Sequence, residues 1–231
     1  MRIVQISDTH LSRDKPHFVN NWVPLSAWIA DQQPDLVIHT GDVTADGAGV
    51  EADLSFSAHL MDELRIRWRA VPGNHDVGEA RHARQPVNAG RLRAWQRHFG
   101  PDRWVEDVAG GAQRWRLVGL DVMLVGSGEP EEDEQALWLE QVMAEAGERR
   151  IAWFLHRPLF LEDLGGRRHR LLVGQAAAAR SASGAGAAAP GCPRRQRTSA
   201  QSARFRLRGH ALYLVAGFEL SGRRAATRDA G

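Results

Sequence analysis

Four short polar segments, each directly after a short apolar run, constrain the fold of this chain more than any other feature of its sequence. The apolar runs are rich in β-formers and bounded by turn residues, which is the pattern of buried strands. The polar segments are therefore predicted to lie at strand ends. In chain order they are Asp8-Thr9-His10, Gly41-Asp42, Gly73-Asn74-His75-Asp76 and His156-Arg157-Pro158.

The residue types in these segments are those that bind metal ions. In an open α/β fold the carboxyl ends of neighbouring strands converge on one crevice, so residues far apart in the chain share a site there. Carboxylate oxygens and imidazole nitrogens without a thiolate favour Mn, Fe or Zn over a structural zinc cluster or an all-oxygen calcium site. The residues that would converge are Asp8, His10, Asp42, Asn74, His75 and His156.

Each of these residues taken singly also has an ordinary explanation. Asp42 after Gly41 is typical of a turn, and Asn74 after Gly73 is typical of a left-handed backbone. Their joint occurrence with three histidines in order favours the metal site. The histidines outside the four segments receive no predicted role; they are His17, His39, His59, His82, His98, His169 and His210.

Between the polar segments the chain alternates strand and helix patterns, which is typical of an α/β layered domain. Apolar stripes with helical spacing predict four helices, and Pro24 is placed in the first turn of the earliest one. Trp115 to Leu120 and Val122 to Val125 are predicted to be paired strands. The length of 231 residues suits one domain with a sizeable core.

The ordered set D-x-H, G-D, G-N-H-D and H-x-P resembles the calcineurin-like metallophosphoesterases over residues 1 to 163. Within that family, the opening segment Ile3 to Leu11 most resembles the bacterial class III cyclic-nucleotide phosphodiesterases. The resemblance implies a four-layer α/β/β/α sandwich, with two sheets between helices. It also implies two divalent metal ions as cofactors, with Mn, Fe and Zn as the candidates.

The resemblance implies a role for each matching position. Asp8 and His10 would bind the first metal, Asp42 would bridge both metals, and Asn74 and His156 would bind the second. Two cations that share a carboxylate can stabilise both the attacking and the leaving oxygen of an in-line displacement.

Two neighbouring residues receive supporting roles from the same resemblance. His75 would protonate the leaving oxygen or stabilise the phosphoryl charge. Asp76 would hold the His75 imidazole in the useful tautomer.

The implied activity is metal-dependent hydrolysis of a phosphodiester such as a cyclic nucleotide. Hydrolysis of a phosphomonoester or a glycerophosphodiester is the close alternative, and a non-catalytic binding protein with a basic tail is the alternative of another class. The expected partner is a small-molecule phosphoester, with neither a nucleic acid nor a membrane. Cytoplasmic location is predicted, because Cys192 is the single cysteine and no apolar stretch approaches the roughly 18 residues of a membrane span.

The composition changes abruptly after residue 163. Residues 1–163 carry a net charge of −9, whereas residues 164–231 carry +11 and are rich in Ala, Arg, Gly and Ser. Such a composition predicts a disordered tail and a fold that is incomplete at the C-terminus. The resembled family also closes its metal site with a G-H-x-H segment, of which Gly209-His210-Ala211-Leu212 supplies only the first half.

Three explanations of the tail remain open. The favoured one is a frameshift, because a one-nucleotide shift permits G-H-L-H across Arg197 to Gln201. The others are a genuine basic extension that binds nucleic acid or acidic lipid, and a divergent closure of the domain. With ligands missing, the chain as written is expected to bind metal weakly, to have a damaged core and to show little or no turnover.

Overall fold

The computed structural model describes residues 1–80, 82–110, 113–158, 202–207 and 210–215 of the chain. Within these ranges it contains five helices and eight strands arranged in two sheets. Among the described helices, none combines the length and the apolar character that a membrane span requires.

The first sheet is parallel and carries three of the four polar segments. Its strands are β1 (Ile3–Ile6), β2 (Leu36–His39) and β3 (Trp68–Ala70), in the order β1-β2-β3. Helices α1 (Pro16–Gln32) and α2 (Glu51–Glu63) connect successive strands. All three strands therefore end at the same edge of the sheet.

The second sheet has five strands and mixed pairing. They are β4 (Trp104–Gly110), β5 (Gln113–Gly119), β6 (Arg150–Phe154), β7 (Ser202–Leu207) and β8 (His210–Val215), in the order β4-β5-β6-β8-β7. Strands β5, β6 and β8 run parallel, whereas β4 and β7 pair antiparallel with β5 and β8. The fourth polar segment follows β6.

Three further helices complete the described chain: α3 (Asn74–Val77), α4 (Ala89–Phe99) and α5 (Pro130–Ala144). Helix α4 begins at a side-chain cap, because Asn88 Oδ1 accepts a hydrogen bond from the Arg91 N–H at 3.0 Å. Helix α5 begins with Pro130, whose missing N–H costs nothing in a first turn.

Alternating side chains divide the core into layers. One face of the first sheet packs on α1 and α2, and its other face packs on the second sheet through Leu36, Ile38, Leu117, Ala152 and Phe154. Val118, Ile151 and Trp153, on the opposite face of the second sheet, join a cluster that includes Val142 of α5. The order helix, sheet, sheet, helix confirms the predicted four-layer fold.

Two predicted elements differ from the structure. Val122 to Val125 form turns rather than a strand, and the antiparallel partner of β5 is β4. Val122 and Leu124 are buried nonetheless. An apolar run in a loop that enters the core therefore has the same sequence pattern as a buried strand. Pro24 lies in the interior of α1, which begins at Pro16.

Two strands lie within the segment predicted to be disordered. Strand β8 pairs with β6 in the register Ile151 to Leu212, and β7 pairs with β8. The sequence does contain an apolar run from Ala211 to Val215, which suits a strand beside β6. Disorder of the remaining tail stays a prediction, because residues 159–201, 208–209 and 216–231, including Cys192 and the Arg197 to Gln201 position, lie outside the described residues.

Candidate metal centre

The loops that follow β1 and β2 are held side by side by backbone hydrogen bonds. The Asp8 N–H donates to the Gly41 carbonyl at 3.0 Å, and the His10 N–H donates to the Asp42 carbonyl at 3.0 Å. Asp8, His10 and Asp42 all adopt positive φ, at 57°, 47° and 51°. Such a conformation is costly for residues with a Cβ, so the hydrogen bonds hold these side chains in positions that a relaxed loop would not give them.

Two glycines allow the loops to approach one another closely. Gly41 has a φ of 100°, and a Cβ there would lie 2.7 Å from His156 Nδ1. A Cβ at Gly73 would collide with Asp42 Oδ1 and with the Asp42 backbone nitrogen. Gly41 is therefore required by the close approach of His156, and Gly73 by the close approach of Asp42.

Asp42 lies at the centre of the converging side chains. Its Oδ2 is 3.4 Å from His156 Nε2 and 4.0 Å from His10 Nε2, while its Oδ1 accepts the His75 N–H at 2.9 Å. Asp8 Oδ1 lies 4.0 Å from His10 Nε2. Five of the six predicted ligand or active residues are thus brought into one cluster.

The cluster contains two sets of possible metal-binding atoms. Within each set, the atoms all lie within 4.8 Å of one another. One set is His10, Asp42 and His75, and the other is Asp8, Asp42 and His156. Asp42 belongs to both sets, as a bridging carboxylate would. The division of the remaining residues between the metals differs from that implied by the resemblance, and that assignment stays a prediction.

The hydrogen bonds of two histidines suit metal binding. His156 Nδ1 lies 3.0 Å from the Thr40 carbonyl, and His75 Nδ1 lies 2.9 Å from the Ala45 carbonyl. Because a carbonyl oxygen only accepts, each Nδ1 must carry the proton. A metal that displaces any proton from Nε2 would then meet the lone pair of that nitrogen, which is the arrangement common among metal-binding histidines.

The electrostatics of the cluster also suit a cation site. Burial alone would raise the pKa of Asp42, but the hydrogen bond and charge of His156 and the His75 N–H lower it overall. Burial, the largest influence on His10, lowers its pKa and favours the neutral imidazole. The donors are carboxylate oxygens and imidazole nitrogens, which fits Mn, Fe or Zn.

Asn74 makes a contact that the sequence did not predict. Its Oδ1, the expected ligand atom of the second metal, accepts a hydrogen bond from Arg157 Nη2 at 2.7 Å. Arg157 Nη1 also donates to Glu79 Oε1 at 2.6 Å. A role of Asn74 as a metal ligand therefore stays a prediction. The positively charged Arg157 guanidinium contacts the oxygen that would bind the metal.

The predicted task of Asp76 is wrong, because the His75 imidazole is oriented by the Ala45 carbonyl instead. The fully buried Asp76 carboxylate accepts backbone hydrogen bonds from Thr44 at 2.8 Å and Gly73 at 2.9 Å, and a bond from the Thr44 hydroxyl at 2.7 Å. Asp76 thereby joins the loops that carry Asp42 and Asn74. Burial, reinforced by the charge of Asp42, raises the pKa of Asp76 to about 6.

His39 is a supporting residue that the sequence analysis missed. It is fully buried at the end of β2; its Nδ1 accepts the Gly41 N–H at 3.2 Å, and its Nε2 lies 2.9 Å from Thr9 Oγ1. The Thr9 hydroxyl donates to the Val43 carbonyl at 3.0 Å. Burial, with the nearby charge of His156, lowers the pKa of His39 to about 3 and keeps it neutral. A histidine inside a strand that is otherwise apolar was the available signal.

Comparisons with known proteins agree with the geometry. The model of the calcineurin-like phosphoesterase family matches residues 1–183. This match covers most of the chain, and the protein belongs to the calcineurin-like phosphoesterase family.

Similar curated proteins include two bacterial enzymes. The chain is 28% identical over 174 residues to the probable glycerophosphodiester phosphodiesterase GpdQ of Arcobacter nitrofigilis, covering 68% of this chain and 57% of that protein. It is 30% identical over 165 residues to the 3',5'-cyclic adenosine monophosphate phosphodiesterase CpdA of Escherichia coli K12, covering 68% and 54%. The chain thus spans about half the length of these relatives. A dimetal phosphatase from Danio rerio matches with a TM-score of 0.45 and 14% identity, covering 69% of this chain and 70% of that one.

Proposed function

We propose that this protein hydrolyses a phosphodiester, such as a cyclic nucleotide, at a centre that holds two divalent metal ions. The observation that carries the proposal is the pair of possible metal-binding sets that share Asp42. Bound divalent cations supply Lewis-acid activation of water and neutralise charge on the phosphoryl group.

The chain's own residues support this chemistry in distinct ways. Asp8 and Asp42 supply the negative charge that holds cations, and His156 presents Nε2 towards Asp42 at 3.4 Å. His75 stands beside them, with its ring 4.7 Å from that of His10 and its Nδ1 held by the Ala45 carbonyl. Because Nδ1 keeps its proton, Nε2 would transfer a proton to a leaving oxygen only from the doubly protonated ring, and a His75 that binds a metal through Nε2 could not do so.

The substrate class rests on the named relatives, one of which acts on 3',5'-cyclic adenosine monophosphate, while the other is a probable glycerophosphodiester phosphodiesterase. A small-molecule phosphodiester is accordingly our proposal for the substrate. A phosphomonoester is the alternative, since the metal-binding residues themselves do not select the substrate.

The test is hydrolysis of bis-p-nitrophenyl phosphate by the 231-residue chain in the presence of Mn²⁺. Asp42→Asn keeps the size of the side chain and an acceptor for the His75 N–H but removes the shared charge. We expect it to reduce turnover by a factor on the order of a hundred. Asp31→Asn, on the exposed face of α1, is the matched control. Turnover that survives Asp42→Asn would overturn the proposal, and absence of turnover in the unmutated chain would overturn it if the coding frame proves to be intact.

We also propose that the segment after residue 163 is read in a shifted frame and that the chain as written therefore has little or no turnover. The net charges of −9 and +11 on the two parts and the half-complete Gly209-His210 segment support this. Sequencing of the coding DNA around codons 160 to 170 tests it directly. A single extra or missing base there supports the frameshift, whereas an intact frame makes the basic extension genuine.

A further inference from the structure

Arg157 is a cation at the edge of the predicted metal centre that no step above uses. Its guanidinium donates to Asn74 Oδ1 at 2.7 Å and to Glu79 Oε1 at 2.6 Å. The side chains of Arg157 and Glu79 are 39% and 43% exposed, so this ion pair borders solvent. Two of the five guanidinium N–H groups make these bonds, and the others have no partner among the described residues.

The position of Arg157 links it to the second predicted metal by two routes. It directly follows His156 in the chain, and it hydrogen-bonds Asn74; these are the two residues expected to bind that metal. A fixed positive charge there repels a neighbouring cation and attracts an anion. The planar guanidinium also matches the oxygens of a phosphate group better than an ammonium does.

Glu79 holds the guanidinium in place. It follows α3, whose first residue is Asn74, so a single short segment supplies both acceptors of Arg157. The arrangement keeps the side chain against the site instead of leaving it extended into solvent.

We propose that Arg157 binds a non-bridging oxygen of the substrate phosphate and, by the same charge, lowers the affinity of the adjacent metal position. This inference rests on the proposed function. It predicts that removal of the charge changes metal binding and phosphate binding in opposite directions. A purely structural role for Arg157 would weaken both together.

The experiment measures both affinities by calorimetry on the full chain, first for Mn²⁺ and then for inorganic phosphate added to the Mn²⁺-loaded protein. Arg157→Met keeps a long unbranched stem without charge. We expect Mn²⁺ to bind about threefold more tightly and phosphate about tenfold more weakly. Arg157→Lys keeps the charge but loses the planar fork, so only phosphate binding should weaken, by about threefold.

Arg97→Met is the matched control, because Arg97 forms an exposed ion pair with Glu51. It should leave both affinities unchanged. Weakening of both affinities in Arg157→Met, or unchanged phosphate affinity, would overturn the inference while leaving the proposed function intact. An unmutated chain that binds no Mn²⁺ would overturn the proposed function and this inference with it. Melting temperatures of the variants confirm that each is folded, and Arg157→Gln, which also removes the charge, carries the test if the methionine variant is not folded.

Discussion

Thr9 and His39 connect the two loops on which three predicted ligands adopt left-handed backbone conformations. His39 contacts both the Thr9 hydroxyl and the Gly41 N–H, and Asp8, His10 and Asp42 all lie within these loops. Hydrogen bonds behind the ligands of a metal typically change its affinity by 10- to 100-fold. The Thr9–His39 pair should therefore set metal affinity rather than only stability.

We expect Thr9→Val, which removes the hydroxyl at nearly constant volume, to weaken Mn²⁺ binding about tenfold. Thr9→Ser retains the hydroxyl and serves as the control. His39→Asn retains an acceptor near the Nδ1 position, so it should resemble Thr9→Val, and the double variant should be no worse than either single one. Calorimetric titration with Mn²⁺ measures this, and affinities within twofold of the unmutated chain would show that the pair acts on stability alone.

At this scale the sequence predicted which side chains converge but not what holds them. Asp8, His10, Asp42, His75 and His156 could be grouped because each follows a strand. The contacts of His75 with Ala45 and of His156 with Thr40 could not be predicted from the sequence, because both acceptors are backbone carbonyls that carry no residue-specific signal.

At the scale of elements, the junction of β5 and α5 contains a buried carboxyl group. Gln135 of α5 accepts the Asp121 N–H at 3.0 Å and donates to the Asp121 carbonyl at 2.9 Å. The Asp121 carboxyl accepts the Met123 N–H at 2.8 Å through Oδ1, and Oδ2 has no partner among the described residues. Burial, aided by the charge of Asp102, raises the pKa of Asp121 well above its usual value.

A raised pKa in the folded state makes stability depend on pH. The folded protein holds the Asp121 proton after the unfolded chain has lost it, so this contribution is complete below the unfolded pKa of about 4 and is lost as pH rises through the folded pKa. Asn is neutral and similar in shape to Asp. We therefore expect Asp121→Asn to remove this part of the fall in folding stability as pH rises. Urea unfolding of the metal-free protein between pH 4 and pH 8 measures it, and parallel pH profiles for the two proteins would contradict it.

The elements themselves were predicted unevenly, for physical reasons. Helices α1, α2, α4 and α5 show apolar stripes because each packs one face on a sheet. The predicted strand over Val122 to Val125 was wrong because buried loop residues and strand residues are equally apolar. Strand β4 gave no comparable signal, since Glu106 and Asp107 interrupt its apolar pattern.

At the scale of the whole molecule, the candidate metal centre draws on both sheets. Strands β1, β2 and β3 of the first sheet precede Asp8, Asp42 and Asn74, whereas β6 of the second sheet precedes His156. The sequence alone indicated a layered α/β domain; the division into two sheets came from the family resemblance. Pairing between distant strands such as β6 and β8 leaves no local pattern to read.

Because predicted ligands from both sheets meet at Asp42, metal binding should stabilise the whole fold. A ligand that binds only the folded state adds about 2.7 kcal/mol at a concentration of 100 times its dissociation constant. For a chain of this size that corresponds to a rise in Tm of roughly 5–10 °C. Differential scanning calorimetry with Mn²⁺ and with EDTA should show this difference in the unmutated chain and in Asp31→Asn. Asp42→Asn should melt at nearly the same temperature in both conditions, because both sets of possible metal-binding atoms lose their shared carboxylate. An unmutated chain whose Tm does not respond to Mn²⁺ would mean that the two sheets are not joined through a metal.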